Sequence, residues 1–398
     1  MIQNFVAQDA CCLEMDPEIY IHNIKEIRSL LGDKVKICAI IKSDAYGHGI
    51  KEMIDSIVRS GVEYISAVDN CEFRIIIKWF RENNINHIRL FRTAPATKEE
   101  LIESLINNWD VEEVVGSLDQ AQYYSKIIND ISDSLGKDII VKVHINVETA
   151  MGRMGFRKIS DIQFTQKIKN LNVIGIMTHL AGEYQVPPQD EVATRTQMEM
   201  FQEVLSQLKL DQNVIKHVAN SGASATKKYT HFDMVRVGQI AFGEDNNQYL
   251  DPKGVIKPIF LKWKTIVAII IRDIPPNSPI GYNGIQKTRS DKSSITATIR
   301  VGYDYGFPQY GCLNKHLVLI RGKRFPIIGK TSMNMLVVDI TDQDQDNQVQ
   351  LGDEVVIIGK QGTEYISWEE FSQKQQKKTL VQCLEIANQC PKIIVKSK

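Results

Sequence analysis

Val35-Lys36-Ile37-Cys38-Ala39-Ile40-Ile41-Lys42-Ser43-Asp44-Ala45-Tyr46-Gly47-His48-Gly49 is an apolar run that stops at one lysine and is followed by a glycine-bounded turn. About seven β-prone residues predict a strand buried on both faces, as in a parallel α/β sheet or barrel. In such folds the C-terminal ends of the strands carry the chemistry, and Lys42 occupies that end. Held against apolar surface, its ammonium loses solvation, its pKa falls, and a neutral amine becomes available as nucleophile or base. A lysine that only snorkels at a strand end fits the same stretch, so other residues must decide.

Outward from this strand the chain repeats a strand-then-helix rhythm. Asp16 can cap a helix that starts at Pro17, carries Ile19, Ile21, Ile24, Ile27, Leu30 and Leu31, and ends at Gly32. Further strands are expected at Val62 to Val68, Ile88 to Phe91, Val111 to Val115, Ile139 to Ile145, Val173 to Met177, Val214 to Val218 and Asp233 to Val237. With the first they make eight, which predicts an α/β fold with an N-terminal (β/α)8 TIM-type barrel over residues 16–255, preceded by an N-terminal segment, 1–15. Lys42, Arg92, Asn146, His179, Asn220 with Ser221, and Arg236 with Gly238 then stand just after the strands. A doubly wound open sheet is the alternative, but no G-x-G-x-x-G turn supports it.

From about residue 256 to 398 the texture changes to short alternating strands: Thr265 to Ile271, Ile295 to Arg300, Leu317 to Ile320, Met335 to Ile340 and Glu354 to Ile358. Arg321-Gly322-Lys323 has the composition of a hairpin turn, and Trp368 to Ala387 has a helical pattern. A second, mainly β domain with a terminal helix is predicted. Asp342 to Gln350, rich in Asp, Gln and Asn, is expected to be an exposed loop.

Composition narrows the function. The chain has 398 residues, 43% of them hydrophobic, enough for an ample core and two domains. Lys plus Arg equals Asp plus Glu at 48 each, so no net charge favours nucleic acid or an anionic membrane, and small ligands are the expected partners. No apolar stretch approaches the ~20 residues of a membrane span, and Met1 to Met15 lacks the regions of a signal peptide. A cytoplasmic protein is expected, or a periplasmic one if a leader was removed. Seven scattered cysteines without a C-x-x-C pair argue against a disulfide framework or a zinc cluster.

Lys42-Ser43-Asp44-Ala45-Tyr46-Gly47-His48-Gly49 resembles the cofactor-lysine motif of the alanine racemases, fold type III pyridoxal phosphate enzymes built from a barrel and a β domain. Met151-Gly152-Arg153-Met154-Gly155, Met177-Thr178-His179, His217-Val218-Ala219-Asn220-Ser221, Met234-Val235-Arg236-Val237-Gly238, Gly281-Tyr282, Gly302-Tyr303-Asp304-Tyr305-Gly306 and Ser332-Met333-Asn334 resemble that family's other motifs, in order. The resemblance runs from about Val35 to Gly359.

It implies a set of roles. Lys42 would hold pyridoxal 5'-phosphate as a Schiff base and serve as one of two bases, with Tyr282 as the other on the opposite face. Two are needed because a proton removed from one face of the α-carbon must return to the other. Arg236 would face the pyridine nitrogen, and because guanidinium keeps its proton the ring nitrogen would stay unprotonated. His179 would orient Arg236. Tyr46, Asn220, Ser221, Gly238 and Gln239 would surround the phosphate. Arg153 would contact the phenolic oxygen and the substrate, while Met333 and Tyr303 would line the substrate region. The family also implies a head-to-tail homodimer in which Tyr282 and Met333 of one subunit complete the site around Lys42 of the other.

Departures from the family pattern point to the substrate. Alanine racemases commonly carry a lysine, often carbamylated, where Asn146 falls, and aspartate where Asn334 stands. An anion such as chloride, or a water, is then expected to fill the gap near Asn146. With Arg92-Thr93-Ala94, Gly281-Tyr282-Asn283 and Thr331-Ser332-Met333-Asn334, these changes resemble the broad-specificity amino-acid racemases, whereas Met154 is closer to alanine racemases proper. The family's gate tyrosine has Leu380 as its nearest counterpart. The implied activity is racemisation of amino acids with a broad side-chain range. The alternative is a strict alanine racemase supplying D-alanine for peptidoglycan, and behind it a fold III decarboxylase or a noncatalytic pyridoxal phosphate carrier.

Overall fold

In a computed structural model, residues 9–181, 189–243, 251, 253–313 and 315–396 are described. The first eight residues of the expected N-terminal segment lie outside them. The chain divides into two compact units, Glu18–Lys257 and a second made of Met1–Pro17 with Pro258–Lys398. Within the expected N-terminal segment, β1 (Cys12–Met15) is an apolar strand with partners in the second unit.

The Glu18–Lys257 unit contains β2 (Lys36–Ile40), β3 (Tyr64–Ala67), β4 (Arg89–Arg92), β5 (Val111–Val115), β6 (Val141–Asn146), β7 (Leu171–Met177), β8 (Ile215–His217) and β9 (Met234–Val237), with helices between them. All eight are parallel, in the order β8-β7-β6-β5-β4-β3-β2-β9. The seam between β8 and β9 is joined by Asp233 N–H to Lys216 O (3.0 Å) and Arg236 N–H to Ala219 O (2.9 Å), which nearly closes a barrel. The first helix, Glu18–Leu31, buries Ile19, Tyr20, Asn23, Ile24, Ile27 and Leu31, a stripe of helical period.

Strand side chains alternate, so every second residue points into the barrel. Cys38, Ile40, Tyr64, Phe91, Val114, Met177, Ile215 and Met234 fill the interior. The same alternation turns Arg92 outward, contrary to its expected place beside Lys42. It is fully buried against the helical layer, where it pairs with Glu113 (2.9 Å), donates to Asn70 Oδ1 (2.7 Å) and lies over the Phe73 ring. Burial pushes the Glu113 carboxyl up to about 7, against the pull of Arg92.

In the second unit, β10 (Phe260–Ile274) is long and pairs with β1. It also pairs with β13 (Ser294–Ile299) and β17 (Glu354–Gln361). The pairings continue from β13 to β16 (Leu336–Asp339), β15 (Lys323–Ile328), β14 (Leu317–Ile320) and back to β17, an antiparallel ring of six strands. The short β11 (Pro279–Ile280) and β12 (Gln286–Lys287) form a separate hairpin; β18 (Glu364–Ile366) extends β17, and β19 (Lys392–Ile394) runs parallel to β1. The hairpin expected at Arg321-Gly322-Lys323 is present, with Arg321 and Gly322, both at positive φ, as its two-residue turn and Lys323 already in β15. Trp263, Phe307, His316 and Phe371 pack together at the core of this unit. The helix expected over Trp368 to Ala387 is two, Trp368–Lys374 and Thr379–Ala387, because Gln376 takes a positive φ in the basic stretch between them. No described helix is long and apolar enough to cross a membrane.

Candidate active site

Beyond β2 the chain does something L-residues rarely do. Ser43, Asp44, Ala45 and Tyr46 take φ of 55°, 52°, 56° and 55° in succession, one turn of left-handed helix ended by Gly47 at φ 81°. Each such residue costs roughly 1–2 kcal/mol, so surrounding bonds must hold the turn. Ala45 N–H donates to Ile41 O (2.8 Å) and Gly47 N–H to Ser43 O (2.9 Å). From the next βα unit, buried Glu72 accepts Asp44 N–H on Oε1 (2.9 Å) and Val68 and Asp69 N–H on Oε2. The turn places Tyr46 against β9, since a Cβ at Gly238 would lie 2.2 Å from Tyr46 Oη.

Lys42 continues the inward series of Cys38 and Ile40. It presents accessible surface at the barrel mouth, yet surrounding protein atoms lower its pKa; Arg153 lowers it further and Glu72 opposes both. Crowding governs here, because solvation of a charge depends on the volume around it and not only on its outermost contact with water. His179 falls to about 3 through burial first, then through the charges of Arg236, Arg153 and Lys42. One neutral imidazole therefore shares this end of the barrel with two guanidinium groups and the Lys42 amine.

Arg236, on β9, is buried among carbonyl and imidazole acceptors. Its Nη1 donates to His217 O (3.0 Å) and reaches His217 Nδ1 (3.1 Å), and its Nη2 donates to Thr178 O (2.9 Å) and Val218 O (3.1 Å). His179 Nδ1 stands 3.4 Å from Nη2. His217 is thus the nearer imidazole partner.

Arg153 rides on a strap between β6 and β7. Asn146, the last residue of β6, clamps it by donating from Nδ2 to Met154 O (2.6 Å), while its buried Oδ1 has no partner among the described residues. Gly155, at φ 140°, lets the strap touch down, since a Cβ there would lie 2.4 Å from Glu148 N. Buried Gln197 ties the strap to the end of β7, donating to Thr149 Oγ1 (3.1 Å) and His179 O (3.0 Å).

At the ends of β8 and β9, Asn220 caps the short helix Ser221–Thr226 by accepting Ala223 N–H (3.2 Å). Ser221 Oγ accepts Gly238 N–H (3.0 Å) and Ile240 N–H (3.5 Å), which leaves its hydroxyl hydrogen to donate outward. Gln239 is buried beside them. In the β unit, Gly302 packs on the Ser332–Met333 backbone, Tyr303 N–H donates to Ser332 O (3.2 Å), and Gly281 lies against Lys330. Tyr282, Met333 and Tyr303 are all exposed, at 64%, 53% and 39%.

The residues at the barrel mouth suit pyridoxal phosphate: an amine of lowered pKa, a donor-only guanidinium, and two hydroxyls beside a glycine that a side chain would obstruct. Motif reading missed Glu72, Gln197 and the inward pair Glu112 and His144. Glu112 and His144 are signalled only as polar residues at inward strand positions and Glu72 by its helix-N3 position, whereas Gln197, in the middle of the helix Gln189–Gln207, carries no such signal.

The chain matches the model of the alanine racemase N-terminal domain over residues 15–246 and that of the C-terminal domain over 260–394. It is 35% identical to a broad specificity amino-acid racemase of Aeromonas hydrophila, over 88% of this chain and 81% of that protein. It is 31% identical to an alanine racemase of Halothermothrix orenii, over 91% and 90%. Its fold superposes on the crystal structure of alanine racemase from Bartonella henselae with covalently bound pyridoxal phosphate, with a TM-score of 0.80, 21% identity and coverage of 98% and 100%. The chain belongs to the alanine racemase family of pyridoxal phosphate-dependent isomerases.

Proposed function

We propose that the protein interconverts the L- and D-forms of free amino acids by two-base proton transfer, with Lys42 Nζ on one face of the substrate α-carbon and Tyr282 Oη of the partner subunit on the other. The observation that carries this reading is Lys42 itself: an inward, strand-end amine of lowered pKa beside Arg153, His179 and Arg236. Pyridoxal phosphate, when bound, supplies an electron-withdrawing ring that acidifies the α-hydrogen. Lys42 would hold it through its amine, Arg236 would meet the ring nitrogen, Arg153 the phenolic oxygen, and the hydroxyls of Tyr46 and Ser221 the phosphate, with Asn220, Gly238 and Gln239 shaping that end. Arg236 keeps its proton, so the ring nitrogen gains none and α-proton return is favoured over transamination.

The exposure of Tyr282, Met333 and Tyr303 supports a homodimer in which these side chains meet the barrel mouth of a second copy, the backbone N–H of Met333 receiving the substrate carboxylate. The unpartnered Asn146 Oδ1 is an acceptor, so a water or the Arg153 guanidinium fits beside it better than chloride does. We read the side-chain range as broad: Asn146 clamps the strap with a neutral amide, and a broad specificity racemase is among the relatives. Strict alanine specificity is the second reading, favoured by Met154, which packs against the barrel core. Incubating the purified protein and pyridoxal phosphate with single enantiomers of alanine, serine, lysine and arginine decides. Loss of optical activity with several supports breadth, loss with alanine alone supports the second reading, and no exchange with any refutes the racemase.

A further inference from the structure

Below Arg236 a line of polar side chains crosses the barrel interior and takes no part in the proposed reaction. Arg236 Nη1 lies 3.1 Å from His217 Nδ1, His217 Nε2 lies 2.8 Å from His144 Nδ1, and His144 Nε2 lies 2.8 Å from Glu112 Oε2. Arg89 closes the line at the other end by donating from Nε to Glu112 Oε1 (2.5 Å). His144 and His217 are fully buried and Glu112 is 1% exposed. His144 on β6 and His217 on β8 flank β7, and they meet only because residue 175 between them is glycine. A Cβ there would lie 1.9 Å from His144 Nδ1. Phe91 packs against both rings.

The line has a direction. A guanidinium only donates, so His217 Nδ1 must accept and its hydrogen sits on Nε2. That hydrogen makes His144 Nδ1 an acceptor, puts the second hydrogen on His144 Nε2, and delivers it to the Glu112 carboxylate, which only accepts when ionised. Both imidazoles are neutral Nε2–H tautomers, and every donor has an acceptor. A buried network satisfied in one sense only is costly to reverse.

We propose that Glu112 is a positioning residue for Arg236: through His144 and His217 it fixes the tautomer that presents an acceptor to the guanidinium and aims it at the site. The inference rests on Arg236 meeting the cofactor ring. Remote carboxylates that set the tautomer of a buried histidine act in this way in other enzymes, where the wrong tautomer lowers turnover while leaving the geometry intact.

The test is Glu112→Gln in the full-length protein. With Arg89 Nε–H directed at the amide oxygen, the amide NH2 faces His144 Nε2, which must then accept. The two tautomers reverse, and His217 Nδ1–H confronts Arg236. Two-bond 1H–15N spectra of 15N-histidine protein should show Nε2–H tautomers for His144 and His217 in the parent and Nδ1–H in the variant. Turnover should fall by about tenfold or more, the effect of losing roughly one buried hydrogen bond, with KM changed less than about twofold. Glu112→Gln with Arg89→Leu frees the amide oxygen to face His144, so the parent tautomers and most of kcat should return. A variant that keeps the parent tautomers, or reverses them with kcat unchanged, overturns the proposal. An Nδ1–H tautomer in the parent protein overturns it without any variant. The tautomers are readable without cofactor or turnover, so failure of the racemase reading would show separately, as inactivity of the parent.

Discussion

Glu72 Oε1 accepts the backbone N–H of Asp44 at 2.9 Å, joining the first turn of one barrel helix to the left-handed turn that follows Lys42. The same carboxylate closes the capping box with Asp69 and takes Val68 N–H. Glu72→Ala would leave three N–H groups short of their acceptor, a loss of about 2–4 kcal/mol. Urea unfolding measures it. Because the turn carries Tyr46, pyridoxal phosphate binding should weaken as well; a stable variant with unchanged affinity would show that the turn holds itself.

Gly238 leaves room for Tyr46 Oη, which a Cβ would meet at 2.2 Å. Gly238→Ala must displace the tyrosine from the proposed phosphate end. Fluorescence titration of the cofactor-free protein should give a pyridoxal phosphate Kd raised about tenfold or more, the loss of one hydrogen bond to an anion. An unaltered Kd would remove Tyr46 and Gly238 from the phosphate site.

Five histidines of lowered pKa set a pH limit on stability. His179 is pushed down to about 3 and His316 to about 4, and burial also lowers His144, His217 and His231. In the unfolded chain all five protonate near ~6.5, so below that pH the unfolded state binds more protons and stability falls. Between pH 7.5 and 5.5 each histidine that stays neutral in the fold removes about 1.4 kcal/mol. Urea midpoints across that range should fall steadily with acid; a flat profile would mean the buried imidazoles protonate in place.

Asn146 holds the Arg153 strap by donating from its amide to Met154 O (2.6 Å). Asn146→Asp replaces the donor by a carboxylate facing a carbonyl and should loosen the strap. KM for the amino acid should rise about tenfold, the effect of one buried hydrogen bond, and by more than in Asn146→Ala, which only deletes the donor. Equal KM values in the two variants would separate Asn146 from the strap.

Much of this was legible in the chain because period-two patterning is local. The eight barrel strands, the hairpin at Arg321-Gly322 and the strand-end position of Lys42 all rest on runs of fewer than ten residues. Arg92 misled because standing at a strand end does not say which face a side chain takes; one residue of parity sent it to the helical layer. The break at Gln376 is a backbone choice inside a helix-compatible pattern. His144, Glu112 and Gln197 could not be found from spacing, since their partners lie 73, 32 and 48 residues away. Only the closed barrel brings them together.

The central claim is that Lys42 and Tyr282 from different subunits make one site, and mixing two inactive variants tests it most directly. Lys42→Ala should lose the visible absorbance of bound cofactor and Tyr282→Phe should keep it, both without alanine racemisation. After the two are unfolded together and refolded, random pairing places one intact site in each mixed dimer, and about a quarter of the parent activity should appear. No recovered activity from correctly refolded mixed dimers would contradict the shared two-base site.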